Sequence, residues 1–195
     1  MKRFMSVFIL LIAFVLHSNA QTTWQIDQTH SNLDFSVRYM MLSNVRGSYG
    51  DFDAVLVQHN DDFSGSEIEV TVNAASINTQ NEDRDDHLRS DDFFNAENHP
   101  EIRFISREFQ KTGEDTYRMI GDLTIRDVTR EVEIETELLG IVDDPRGFQR
   151  VAFEGTTTVN RDDFGVQWNR VLEAGGFMVG QDVTISISAQ FINES

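Results

Sequence analysis

Eight segments of this chain alternate apolar and polar residues with a period of two, and that alternation limits the fold more than any other feature. In Leu33–Met41, Leu33, Phe35, Val37, Tyr39 and Met41 share one face, with Asp34, Ser36 and Arg38 on the other. A second segment runs from about Tyr49 to Gln58, with Gly50-Asp51 marking a bulge or bend. Glu67–Ala75 sets Ile68, Val70, Val72 and Ala74 against Glu67, Glu69, Thr71 and Asn73. Glu101–Phe109 alternates through Ile102, Arg103 and Phe104, although Ile105 and Phe109 blur the pattern. Thr116–Arg126 groups Tyr117, Met119, Gly121, Leu123 and Ile125. The sixth segment sets Val132, Ile134, Thr136 and Leu138 against four glutamates. Phe148–Asn160 and Asp182–Ile192 complete the set, the latter with Val183, Ile185, Ile187, Ala189 and Phe191 facing one way. Half-polar strands joined by short turns predict an antiparallel sheet with one solvated face. Such a sheet must stack on another or close on itself, and periodicity alone does not separate the two.

Two stretches interrupt the alternation. Residues 78–94 read as a helix, with Asn81 or Asn78 as N-cap and Glu82, Asp83 and Asp85 in the first turn. Residues 161–180 are irregular yet carry Phe164, Val166, Trp168, Val171, Leu172, Phe177 and Met178. Loops of that length in compact domains are often lids or binding loops, so both stretches are candidates to close a barrel end.

Residues 1–20 read as a secretory signal: Lys2 and Arg3, an apolar run from Phe4 to Leu16, then Ser18-Asn19-Ala20 before the expected cut. The run is shorter than the roughly 20 residues of a spanning helix, so stable membrane insertion is not expected. That leaves 21–195 as one domain, exported to the periplasm or secreted. Removing Lys2 and Arg3 takes the formal charge from −17 to −19, which disfavours nucleic acid and anionic lipid surfaces as partners. A homodimer is left open. The chain has no Cys, so burial and hydrogen bonding alone must hold it, and closure removes unpaired strand edges.

Machinery for catalysis is scarce. A carboxylate pair could be drawn from Asp83, Asp85, Asp86, Asp91 and Asp92, but a helix N-terminus and turn explain these residues as well. Asn81, Asp83 and Asp85 mimic the start of a calcium loop, yet Asp86 stands where Gly is needed and Asp92 where Glu is expected. His30, His59, His87 and His99 show no metal-ligand spacing. No nucleophile elbow, phosphate loop or dinucleotide fingerprint is present. No catalytic residue, metal or cofactor is therefore expected. The rival is an exported hydrolase using Asp85, His87 and Asp92. A third reading is a filled barrel acting as a stress or interaction protein.

Several motifs in fixed order carry a family resemblance. They are Trp24, Asp27, His30-Ser31 and Phe35-Ser36-Val37-Arg38; Val45-Arg46-Gly47 leading to Phe52-Asp53; Arg84-Asp85-Asp86-His87-Leu88-Arg89-Ser90 followed by Asp92-Phe93-Phe94, Pro100, Phe104 and Ser106; Gly121-Asp122-Leu123-Thr124 before Thr129; Asn160-Arg161 with Asp163-Phe164-Gly165; and Gly180 before Val183. Over 23–192 the chain resembles the YceI-like polyisoprenoid-binding proteins. The resemblance implies an all-β fold, an extended eight-stranded antiparallel lipocalin-like β-barrel with a short helical insertion. It also implies a tubular apolar lumen for an isoprenoid or other long-chain amphiphile. The expected lumen residues are Phe35, Val37, Tyr39, Val72, Phe104, Met119, Leu123, Phe153 and Ile185, with Leu88, Phe93, Phe94, Trp168 and Phe177 as end closures. Tyr39, Arg38 or Arg84 would meet a head group. Tyr39 stands where the family often has His, so head-group preference is expected to differ there.

Overall fold

A computed structural model describes residues 21–172 and 175–193; the signal segment 1–20 lies outside the described residues. The strands are β1 (Thr22–Ile26), β2 (Asn32–Tyr39), β3 (Ser43–Tyr49), β4 (Phe52–Gln58), β5 (Glu67–Asn73) and β6 (Ile77–Asn78). Helix α1 (Glu82–Arg89) follows, then β7 (Glu101–Lys111), β8 (Thr116–Ile125), β9 (Val128–Asp143), β10 (Gln149–Asn160) and β11 (Val179–Asn193). All pairings are antiparallel, in the order β1-β4-β5-β7-β8-β9-β10-β11, and β11 returns to β1 to close the barrel.

The ladder segments make eight strands because three strands are bent. β1 and β2 follow one another along the same edge of β11: Ile26 pairs with Phe191, and Asn32 with Ser188. The break between them is a 3-10 turn at Gln28–His30, where Asp27 accepts from the Thr29 N–H at 3.1 Å. β3 and β4 are likewise one strand broken at Gly50-Asp51, and β5 and β6 one strand broken by a 3-10 turn at Ala74–Ser76. Alternation reveals the eight strands but misses β1, β3 and the two-residue β6, one arm of each bent strand. β3 alternates weakly, as Ser43, Asn44, Arg46 and Ser48 leave it little apolar signal.

Two bulges explain the blurred patterns. Register shifts between Ser106 and Glu108, so Phe104 and Ser106 face inward before the shift and Phe109 after it. Ile105 consequently points out. Ser106 Oγ accepts the Ile68 N–H at 2.7 Å beyond the end of the β5–β7 ladder. A second shift, opposite Ala152/Phe153, leaves Leu139, Ile141 and Val142 exposed near the β9–β10 turn. The close approach of β7 to β8 depends on Gly121: a Cβ there would lie 2.5 Å from both the Ile105 carbonyl oxygen and the Phe104 ring.

The predicted 78–94 helix is shorter than expected, α1 alone, with Asn81 as N-cap accepting from the Arg84 N–H at 2.9 Å. Turns held by Ser90 and Asn95 replace its second half. The helix lies where β6 has no ladder partner on its outer side. Arg89 donates from Nε to the Ala75 carbonyl at 2.8 Å and from Nη2 to the Ile77 carbonyl at 3.0 Å. Arg84 donates from Nη2 to the Thr79 carbonyl at 2.8 Å. The carbonyls of Ala75, Ile77 and Thr79, from the 3-10 turn through β6 to the residue after it, would otherwise need water or another chain and are thus covered from within.

Candidate lipid-binding lumen

The inside of the barrel changes along its length. At one end it is filled with rings: Trp24 lies 5.9 Å from Phe63, Phe63 lies 5.4 Å from Phe153, and Phe109 stacks on Tyr117 at 4.9 Å. Phe63, Leu56, Val151 and Phe191 are essentially inaccessible there. Toward the other end the same inward register stays apolar but is no longer packed. Along β11, Phe191 is buried, whereas Ile187, Ile185 and Val183 are only half-buried. Leu33, Phe35 and Val37 on β2 behave alike. Their free surface faces a cavity of about 250 Å³ whose floor includes Phe109 and Phe153. Apolar cavities of about 150 Å³ already stay dry and take up small hydrocarbons.

Of the lumen residues expected from the sequence, Phe35, Val37, Val72, Phe104, Met119, Leu123, Phe153 and Ile185 line this cavity. So do Leu88, Phe93 and Phe94 from the helical insertion. Tyr39, Trp168 and Phe177 are not among its lining residues. Tyr39 pairs with Ser43 and Val179 at the far end of β2, above the cavity. Trp168 sits behind the lining, 5.3 Å from Phe93 and 4.9 Å from His87. Phe177 is 51% exposed and bridges to Val171 within the loop. Neither head-group arginine borders the cavity: Arg38 is exposed and donates to Asn44 at 3.3 Å, and Arg84 is held by Thr79.

Sequence reasoning left many lining residues unnamed, among them Leu33, Phe52, Val183 and Ile187; two of those it left out, Tyr49 and Arg161, carry polar groups. Tyr49, read only as a strand start, lines the cavity between Phe35 at 5.8 Å and Phe94 at 6.2 Å. Burial pushes its hydroxyl well above the ordinary tyrosine range. Arg161 also borders the cavity, but its guanidinium is committed to backbone: Nε to the Gly180 carbonyl at 2.8 Å, Nη1 to Val166 at 2.5 Å and Nη2 to Val179 at 3.5 Å. It organises the 161–180 loop, and desolvation lowers its pKa. An arginine beside a run of loop apolar residues was the available signal.

The rival hydrolase set is not assembled. His87 Nε2 and Asp92 Oδ2 are 2.9 Å apart on the surface. Asp85 is buried away from them, accepting from the Thr79 N–H at 2.9 Å and from the Thr79 hydroxyl. Among the described residues no three His, Asp or Glu side chains converge as a metal site.

Comparison with known proteins agrees with this architecture. The YceI-like domain model matches residues 24–191. A UPF0312 protein of Staphylococcus epidermidis is 36% identical over 171 residues, covering 87% of this chain and 97% of that one. A UPF0312 protein of Staphylococcus aureus matches with the same identity and coverage. Among solved structures, the Campylobacter jejuni YceI protein superposes with a TM-score of 0.68 at 28% identity, covering 81% of this chain and 90% of that one. Burkholderia cenocepacia BcnA shares the fold at a TM-score of 0.73 and 19% identity, over 85% of this chain and 98% of that one. A Saccharophagus degradans polyisoprenoid binding domain shares it at 0.63 and 13%, over 88% and 99%. With a matching domain model and a closed, partly hollow eight-stranded barrel, the chain belongs to the YceI-like family.

Proposed function

We propose that this protein is an exported carrier that holds a long apolar lipid of the isoprenoid type in its lumen and performs no chemistry on it. The observation that carries the reading is the incompletely packed inward register: Leu33, Phe35, Val37, Val183, Ile185 and Ile187 are only half-buried and line a cavity. Leaving such side chains unpacked forfeits dispersion contacts, and a hydrocarbon ligand restores them. The polyisoprenoid binding named for the Saccharophagus domain supports the ligand class. Export rests on the character of residues 1–20.

The driving force is burial of hydrocarbon, about 0.8 kcal/mol per methylene and so at most about 4 kcal/mol per five-carbon unit. Ordering the chain takes back much of this. Burial has no direction, so the lumen selects by length and girth. The test is native mass spectrometry of the purified protein, with organic extraction and binding of a fluorescent prenyl amphiphile. Co-purifying lipid, or saturable binding lost in folded Phe104→Arg or Leu123→Glu, supports the carrier. A protein that carries no lipid and binds no such probe overturns it.

A further inference from the structure

The lumen has one polar side chain without a partner. No hydrogen bond reaches the Tyr49 hydroxyl from any described residue; the side chain's recorded contacts are the rings of Phe35 and Phe94. The other inward polar groups are occupied. Thr157 Oγ donates to the Glu133 carbonyl at 2.7 Å, Thr136 Oγ to the Ile134 carbonyl at 3.4 Å, and Arg161 to three carbonyls of its own loop. Asn32, Asp34, Glu154 and Ser188 also border the cavity but stand in the outward register of β2, β10 and β11. Tyr49 is half-buried at the cavity lining and not sealed within the packed core, so its hydroxyl is accessible to a molecule in the lumen. A phenylalanine would fill the same space without leaving a donor unsatisfied.

We propose that Tyr49 is the polar anchor of the lumen, donating its hydroxyl to a neutral carbonyl oxygen carried by the bound lipid. This rests on the carrier reading and adds the chemistry of the ligand's polar end. The hydroxyl stays protonated at any working pH, so it is a donor there. A carbonyl is the matching acceptor. An anionic phosphate is a poorer match: Arg161, the basic residue of the lining, already directs Nε, Nη1 and Nη2 at backbone carbonyls and lies 3.8 Å from Asp162. A buried charge without a counter-charge is strongly disfavoured.

The experiment compares farnesylacetone with the same chain in which the carbonyl is replaced by a methylene, on delipidated wild-type protein and on Tyr49→Phe. The substitution removes only the hydroxyl, and an unchanged or raised melting temperature confirms an intact fold. The ketone is expected to lose about three- to tenfold in affinity in Tyr49→Phe, while the hydrocarbon analogue is unaffected. The infrared carbonyl stretch of bound ketone should sit at lower frequency in wild type than in the variant. If both proteins bind the two probes in the same ratio and the stretch does not differ, the anchor is overturned while the carrier stands. If wild type binds neither probe, both proposals fall.

Discussion

Arg89 shows how much structure one side chain can hold here. Its guanidinium spans two alternate carbonyls, Ala75 in the 3-10 turn and Ile77 at the start of β6, and also meets Asp86 at 2.9 Å. Arg89→Met keeps the aliphatic stem but frees both carbonyls, and should destabilise the fold by about 1–3 kcal/mol in a denaturant melt. Gly121 is a constraint of the opposite kind, since it demands the absence of a side chain. Gly121→Ala sets a methyl against the Ile105 carbonyl, which as backbone cannot swing aside, and should cost about 1–3 kcal/mol in the same melt. At this scale the sequence shows the residue types but not their partners. Arg84 and Arg89 stand out within their motif, yet the carbonyls they serve, five to fourteen residues away, are identified only by the fold.

At the scale of elements, a charge cluster fastens the filled end. Arg150 on β10 donates to Asp27, just after β1, at 2.7 Å and to Asp144, in the β9–β10 turn, at 2.6 Å. The Arg150 guanidinium holds the Asp27 carboxyl below its usual range. Asp144 is depressed further, first by Arg146 and then by Arg150. A lowered folded pKa stabilises the fold above the ordinary carboxylate value, and that contribution is lost as pH falls through the folded values. Arg150→Gln should therefore lower the melting temperature at neutral pH, and the gap from wild type should narrow as pH drops below about 4. A gap constant from pH 7 to pH 2 would show that the cluster contributes nothing through charge. The helical insertion was legible from Asn81 and the acids behind it, but its length was not. Leu88 and Phe93-Phe94 look like a continuing apolar face, yet they turn inward over the lumen from a helix end and a turn.

For the whole molecule, the decisive feature is the uneven filling of the barrel. Rings of Trp24, Phe63, Phe109, Tyr117 and Phe153 cluster at one end, while aliphatic residues of the same inward register leave the other end hollow. Closure requires the bent β1–β2 strand to share β11 along two separate stretches, with the chain kinked between them. The 161–180 loop and α1 then meet over the hollow end, where Trp168 packs on His87 and Phe93.

The sequence by itself determined eight strands, their inward faces, the helical insertion and part of the apolar lining, because alternation is a local property of each strand. It could not determine closure, which depends on pairing Gln25 with Ile192 at opposite ends of the chain. Nor could it tell packed core from lumen: Val151 and Ile185 follow the same kind of alternation, and only the cross-barrel distance left by all eight strands decides which one is packed and which borders a void. The isolation of Tyr49 is of that second kind. A tyrosine's want of a partner is a statement about everything around it, and only the tertiary structure supplies that.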